Sequence, residues 1–200
     1  GQSCIAAKRF IVEESILDDF VKLVKDKIKG LVIGNPSDDN TDVGPLARDD
    51  LRTELHNYVI TSIQLGAKLI YGGNKLNNEG FYYEPTILTN INKSMPVYYK
   101  ETFGPVFVII SFNSDSEAIK LANDSNYGLG ASIWCNDIAK ARNISKQIES
   151  GMVIINDMMK SDPRLPFGGI KLSGYGRELS SVGIKEFVNI KTITIKELSL

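Results

Sequence analysis

Between residues 106 and 155 short uncharged runs alternate with amphipathic ones, and this alternation restricts the fold more than any other feature of the chain. Val106 to Phe112 carries no charge, is rich in β-branched side chains and ends in an aromatic ring. That is the pattern of a strand buried on both faces. Ser114 has Glu117 three residues on, a capping-box spacing, and a helix is expected over 117–123. Ala131 to Cys135 reads as a strand, Asp137 as the cap of a helix through Ile148, and Met152 to Ile155 as another buried strand. Strand–helix–strand–helix–strand order predicts parallel pairing through right-handed crossovers. The expected class is therefore α/β, a layered, mostly parallel sheet flanked by helices.

The rest of the chain extends the theme. Phe10-Ile11-Val12 reads as a short strand, Ser15 as an N-cap, and Ile16, Phe20, Leu23, Val24 and Ile28 as one helical face ending at Gly30. Residues 34–49, rich in Gly, Asn, Pro and Asp, form a long surface connection. Asp49 or Asp50 then caps a helix carrying Leu51, Leu55, Val59 and Ile63. Lys68 to Tyr71 is a strand, and Tyr82 to Leu88 is extended, with Pro85 keeping it at an edge or an irregularity. Thr192-Ile193-Thr194-Ile195 alternates cleanly, as an edge strand seeking a partner would.

Composition narrows the function. In 200 residues, 23 basic side chains face 24 acidic ones, which argues against nucleic acid or an anionic membrane as the main partner. No apolar run approaches the roughly 18 residues of a membrane span, and no signal peptide is visible, so a cytoplasmic protein acting on a small molecule is expected. Cys4 and Cys135 are too far apart for close metal-ligand spacing. His56, the only histidine, lies beside the apolar stripe of its predicted helix, so no metal site is expected. The chain opens without Met at Gly1-Gln2-Ser3-Cys4, which reads as a cut through a larger protein.

Four features could carry chemistry. Cys4, among the small residues Gly1, Ser3, Ala6 and Ala7, is either an accessible nucleophile or a buried structural thiol. Cys135, within a strand, reads as structural. Glu101-Thr102-Phe103-Gly104-Pro105 places a carboxylate, an aromatic ring and a Gly-Pro turn at a strand entrance, which suits a sugar hydroxyl and a flat ring, or simply a polar turn over one buried Phe. The run from Pro166 to Glu178 has glycines at 168, 169, 174 and 176, so its backbone is conformationally special. It fits neither a P-loop nor a dinucleotide fingerprint.

Taken jointly, these segments resemble the aldehyde dehydrogenase superfamily. The similarity rests on Gly1-Gln2-Ser3-Cys4, on Glu101-Thr102-Phe103-Gly104-Pro105, and on Asn126-Tyr127-Gly128-Leu129. It continues through Ile155-Asn156 and Phe167-Gly168-Gly169-x-Lys171-x-Ser173-Gly174-x-Gly176-Arg177-Glu178, in the family's order and spacing over essentially the whole chain. Ala6-Ala7-Lys8-Arg9-Phe10-Ile11, Gly44-Pro45-Leu46-Ala47-Arg48, Leu121-Ala122-Asn123-Asp124-Ser125 and Ser161-Asp162 with Arg164 look most like succinate-semialdehyde dehydrogenases.

The resemblance implies a catalytic Cys4 whose thiolate attacks the aldehyde, giving a thiohemiacetal and then a thioester that water hydrolyses, with NAD or NADP accepting hydride. It implies cofactor contacts from Glu101 to the nicotinamide ribose and from Phe103 to the nicotinamide side. It also implies an oxyanion donor in the Cys4 backbone N–H, a pocket wall in Phe167, and partners for the far carboxylate of a semialdehyde in Ser161 and Arg164. By the same likeness, residues 1–190 are the family's catalytic domain without its N-terminal dinucleotide-binding domain, and alone would not oxidise aldehydes. Residues 191–200 are its oligomerisation strand, in a homodimer or homotetramer. The alternatives are a CoA-acylating enzyme and a non-catalytic structural member, and thiol labelling of Cys4 against Cys135 discriminates the latter.

Overall fold

The computed structural model describes residues 1–77 and 79–197. The chain divides into two compact units, Gly1–Ser125 with Arg142–Ile148, and Asn126–Ala141 with the chain from Glu149 onward.

The first unit is built on strands β1 (Arg9–Glu13), β2 (Lys68–Tyr71), β3 (Thr86–Thr89) and β4 (Val106–Phe112), with helices α1 (Leu17–Lys29), α2 (Asp49–Gln64), α3 (Pro96–Tyr99) and α4 (Asp115–Asn123). The sheet order is β1-β4-β3-β2. β4 runs parallel to β1 and to β3, and β2 closes the far edge antiparallel to β3. Side chains on a strand alternate between faces, and β4 shows what an uncharged strand does with two faces. Val106, Val108 and Ile110 join Leu55, Val59, Leu88, Met95 and Val97 in one core. Ile109 joins Val12, Ile28 and Ile87 in another, with Phe107, Phe10 and Phe20 packed against it. Phe10 and Phe107 stack with centroids 5.2 Å apart. Helices α2 and α3 supply the first layer and α1 the second. Burying each such aliphatic side chain contributes about 1.5–3 kcal/mol.

Several local expectations change. Ser15 lies inside a tight turn, Glu14–Ile16, which runs straight into α1, so no side-chain cap is made there. Ile16 and Leu23 are exposed, whereas Phe20, Val24 and Ile28 face the core. Asp49 and Asp50 do not cap α2 either: Asp49 pairs with Arg52 and Asp50 with Arg48, neighbouring cations that compete for the carboxylates. β3 is interior rather than at an edge. Pro85 immediately precedes it, so the missing N–H falls outside the ladder, and the irregularity appears in the β2–β3 register instead. The Ser114 cap forms as expected, accepting from the Glu117 N–H at 3.3 Å.

The second unit holds β5 (Tyr127–Gly128), β6 (Gly130–Ile133), β7 (Met152–Ile155), β8 (Ile170–Lys171) and the short helix α6 (Ser180–Gly183). Helix α5 (Ile138–Ser145) joins β6 to β7, which pair in parallel, while β5 and β8 pair antiparallel. Asp137 caps α5 by accepting from the Lys140 N–H at 2.9 Å. The helix stops at Ser145 rather than Ile148, because the Ser145 hydroxyl and the Gln147 amide donate to the Arg142 and Asn143 carbonyls near its end. The expected continuous parallel series over 106–155 is thus split: β4 takes β1 and β3 as neighbours, while β6 and β7 pair with each other. Asn156 closes the β6–β7 pair by bonding both the N–H and the C=O of Cys135 through its side-chain amide, at 2.8 and 2.9 Å. Cys135 is therefore held by a structural clamp.

Residues 191–197 adopt no regular structure, and Ile193 and Ile195 are exposed. The last three residues of the expected oligomerisation strand, 198–200, lie outside the described residues. No helix among the described residues is long and apolar enough to cross a membrane.

His56 leaves the α2 stripe to meet Tyr83, with Nδ1 3.2 Å from the buried hydroxyl and the rings edge-on. Burial, and then the Lys75 charge, hold the imidazole below its ordinary value. As pH falls below about 6.5 the unfolded chain takes up a proton that the folded chain resists, so stability declines with acidification. The urea midpoint of the wild-type protein should therefore fall more between about pH 7 and pH 5 than that of His56→Gln. Parallel pH dependences would contradict this.

Candidate functional site

Two neighbouring parallel strands must start at the same end of a sheet. The β1–β4 register, Arg9 opposite Val108, therefore brings the loops that precede them, 1–8 and 101–105, together. Two motifs nearly a hundred residues apart meet for this topological reason.

The meeting is close. A Cβ on Gly1 would collide with the Gly104 carbonyl oxygen, and one on Gly104 with the Leu55 side chain of the core. The order Gly1, Gly104, Leu55 is thus a direct stack from the Cys4 loop down to helix α2. Gln2 adds a second tie, its side-chain oxygen accepting from the Ala47 N–H at 2.9 Å. On this base Cys4 is exposed. On the facing turn, Thr102 is buried while Phe103 is 39% exposed, so the aromatic ring is presented rather than packed away. Glu101 is half-buried.

Lys8 joins these groups. Its ammonium donates to the carbonyls of Gly1 at 2.7 Å and Ser3 at 2.9 Å, and lies 4.1 Å from the centre of the Phe103 ring. Burial pushes this ammonium below its ordinary value, opposed by the nearby Glu101 and Cys4. Arg9 secures the next position. Its guanidinium donates to the Leu121, Ala122 and Asp124 carbonyls at the end of α4, at 3.0–3.1 Å. Asp124 also accepts from the Tyr98 hydroxyl and pairs with Lys93, which hold its carboxyl below the usual range.

The second unit carries the remaining candidates. Ser161 and Arg164 are exposed, and Phe167 is half-buried. Arg164 makes a bidentate pair with Asp162, at 2.6 and 2.9 Å, which lowers the Asp162 carboxyl. The Phe167 backbone is fixed by a reciprocal pair of 2.8 Å bonds with Glu178. The glycine-rich run folds back on the protein itself: a Cβ on Gly151 would strike the Gly168 carbonyl, and Gly169 lies against Ser173 and Leu129. These glycines permit backbone to pass backbone.

The pattern has known counterparts. A model of the aldehyde dehydrogenase family matches residues 1–193. The chain belongs to the aldehyde dehydrogenase family. Curated relatives include succinate-semialdehyde dehydrogenase [NADP(+)] 1 of Mycobacterium tuberculosis and a probable succinate-semialdehyde dehydrogenase [NADP(+)] of Synechocystis. Each is 47% identical over 195 residues, covering 98% of this chain and 43% of the relative. The chain thus spans less than half the length of these relatives. Among solved structures, succinic semialdehyde dehydrogenase from Streptococcus pyogenes in complex with NADP+ superposes with a TM-score of 0.95 at 42% identity, over 98% of this chain and 43% of that one. Mycobacterium tuberculosis aldehyde dehydrogenase complexed with NAD+ gives 0.88 at 38% identity, over 94% of this chain and 39% of that one.

In the first unit of this aldehyde dehydrogenase chain, Cys4, Glu101 and the Phe103 ring all lie near the Lys8 ammonium. Lys8 is the member that motif reading missed. It entered only as part of the likeness of Ala6 to Ile11, although a lysine four residues after a candidate nucleophile, and one before a strand, is a signal in itself. The glycine stack makes the arrangement testable. In the full-length protein, Gly1→Ala should lower the melting temperature by several degrees and remove most dehydrogenase activity, because the Gly104 carbonyl is backbone and cannot yield as a side chain could. An unchanged melting curve with full activity would refute the stack.

Proposed function

We propose that this chain provides the catalytic half of an NAD(P)-dependent aldehyde dehydrogenase that oxidises succinate semialdehyde to the acid. The observation that carries the reading is the convergence of an exposed Cys4 with Glu101 and a presented Phe103 ring at the shared end of β1 and β4. The substrate assignment draws on the relatives that bear that name.

The residues fit a nicotinamide cofactor. A half-buried carboxylate accepts hydrogen bonds from ribose hydroxyls, and an exposed aromatic face packs on a flat ring. Glu101 would hold the ribose and Phe103 the nicotinamide side; when bound, the cofactor accepts a hydride. The chain's own part is covalent. The Cys4 thiolate attacks the aldehyde carbon, the carbonyl π pair moves onto oxygen, and a thiohemiacetal forms. The Cys4 backbone N–H donates to that oxyanion. After oxidation the thioester is open to water, which releases the acid and returns the thiol. The family resemblance gives Phe167 the role of a wall for the aldehyde and Ser161 that of a hydroxyl for the far carboxylate. Arg164 presents a guanidinium whose charge Asp162 already balances, so of the two candidates Ser161 is the stronger.

The residues from 191 onward are read as the oligomerisation strand of a homodimer or homotetramer. The exposed Ile193 and Ile195, on alternate positions, suit pairing with a second copy.

Two experiments test this reading. In the full-length protein supplied with a panel of aldehydes and with NAD+ or NADP+, Cys4→Ser should reduce NAD(P)H production by at least about a thousandfold, whereas Cys135→Ser should leave it intact. Equal effects, or no turnover of succinate semialdehyde by the wild type, would overturn the assignment. Removing residues 191–200 should lower the mass seen by light scattering, and a native mass would count against the strand.

A further inference from the structure

Lys8 is not explained by the family reaction as set out above, yet it contacts the peptide that this reaction needs. The Ser3 carbonyl and the Cys4 N–H belong to one peptide unit. That unit is planar and trans, as all peptides of the described chain are, so its C=O and N–H point in opposite directions. The Ser3 oxygen is engaged twice, by the Lys8 ammonium at 2.9 Å and by the Ala6 N–H at 3.2 Å. The same ammonium grips the Gly1 carbonyl at 2.7 Å, the residue wedged against Gly104. The orientation of the Cys4 N–H is therefore set from behind.

A cation donating to an amide oxygen also draws electron density through the amide. The N–H becomes a stronger donor, as members of a hydrogen-bond chain polarise one another. We propose that Lys8 is a positioning residue that fixes and polarises the Ser3–Cys4 peptide, so that its N–H is aimed and strengthened as the donor to the oxyanion formed on Cys4 attack. The proposal rests on the dehydrogenase reading, in which that N–H is the oxyanion donor. It assigns Lys8 no proton transfer and no contact with substrate. The Phe103 ring under the ammonium helps keep the lysine in place.

The test compares two reactions of Cys4 in the full-length protein. Acylation by p-nitrophenyl acetate passes through a tetrahedral oxyanion and needs no nicotinamide. Alkylation by iodoacetamide is a displacement at carbon and makes no such oxyanion. Lys8→Met, which keeps length and removes charge, should slow the acylation burst and the kcat for succinate semialdehyde together, by about tenfold. Alkylation, and the KM for the aldehyde, should change by less than about threefold. Lys8→Arg, which retains a donor able to reach both carbonyls, should recover much of the acylation rate. Acylation at the wild-type rate in Lys8→Met would overturn the proposal. So would an equal loss in acylation and alkylation, which would mean that the thiol or its loop was disturbed generally. A wild type that acylates normally but turns over no aldehyde would refute the function and leave the Lys8 comparison decisive. A wild type that does neither would refute both.

Discussion

An uncharged strand with two buried faces needs an apolar layer on each side, and β4 imposes that requirement on the first unit. Its odd and even positions divide between two cores, which fixes α2 and α3 to one face and α1 to the other. Its two hydrogen-bonding edges need strands, and β1 and β3 supply them in parallel. From parallel pairing it follows that the residues just before β1 and just before β4 share one end of the sheet. The Cys4 loop and the Glu101–Pro105 turn are there because of how β4 is satisfied. The meeting of the two loops is a by-product of sheet topology, and the glycine contact seats one loop on the other.

Polar groups then do what apolar packing cannot. The core and the sheet bring the two loops together, but they do not orient a peptide plane. That task falls to directional contacts: Gln2 to Ala47, Lys8 to Gly1 and Ser3, and Arg9 to the end of α4. All of these are bonds between a side chain and backbone. Such bonds read the path of the chain rather than the identity of a partner residue, and they hold a loop that has no regular secondary structure of its own.

The sequence made some of this legible and hid the rest, for identifiable reasons. β4 was plain because an unbroken apolar run of that length has few other uses. The Ser114 cap and the Asp137 cap were plain because each acts within four residues of itself. Ser15, Asp49 and Asp50 were misleading. Good capping residue types stood at the right places, but a tight turn and nearby arginines took precedence, and linear spacing does not show competition. Pro85 reads as a sign of an edge or an irregularity; the irregularity appears in the β2–β3 register, but there is no edge, since a proline one residue outside an interior strand costs that ladder nothing. Of the candidate site, Cys4, Glu101 and Phe103 were legible as motifs. Lys8 was not, because its targets are carbonyls behind it in the chain, and carbonyls carry no letter in a sequence. The glycine-rich run reads as conformationally special, but its letters do not show what each glycine meets: Gly168 lies against the Gly176 carbonyl, Gly176 faces the Glu186 side chain, and Gly174 has open space around it.

Arg9 and Lys8 are consecutive, and they pull in different directions: one toward the end of α4, the other back toward the loop before it. A strand inverts its faces with every residue. Adding or losing a single residue within β1 would therefore turn every residue beyond it to the wrong side of the sheet, whereas a change of length between Cys4 and Arg9 would leave that ladder in step and alter only the reach of Lys8 to the Gly1 and Ser3 carbonyls. The strand itself cannot change length without losing step with β4. The exposed turn at 35–40, which lies between the bridged Ile33 and Val43, is where the same chain can absorb insertions. The arithmetic of odd and even thus divides the chain into parts whose length is frozen and parts whose length is free.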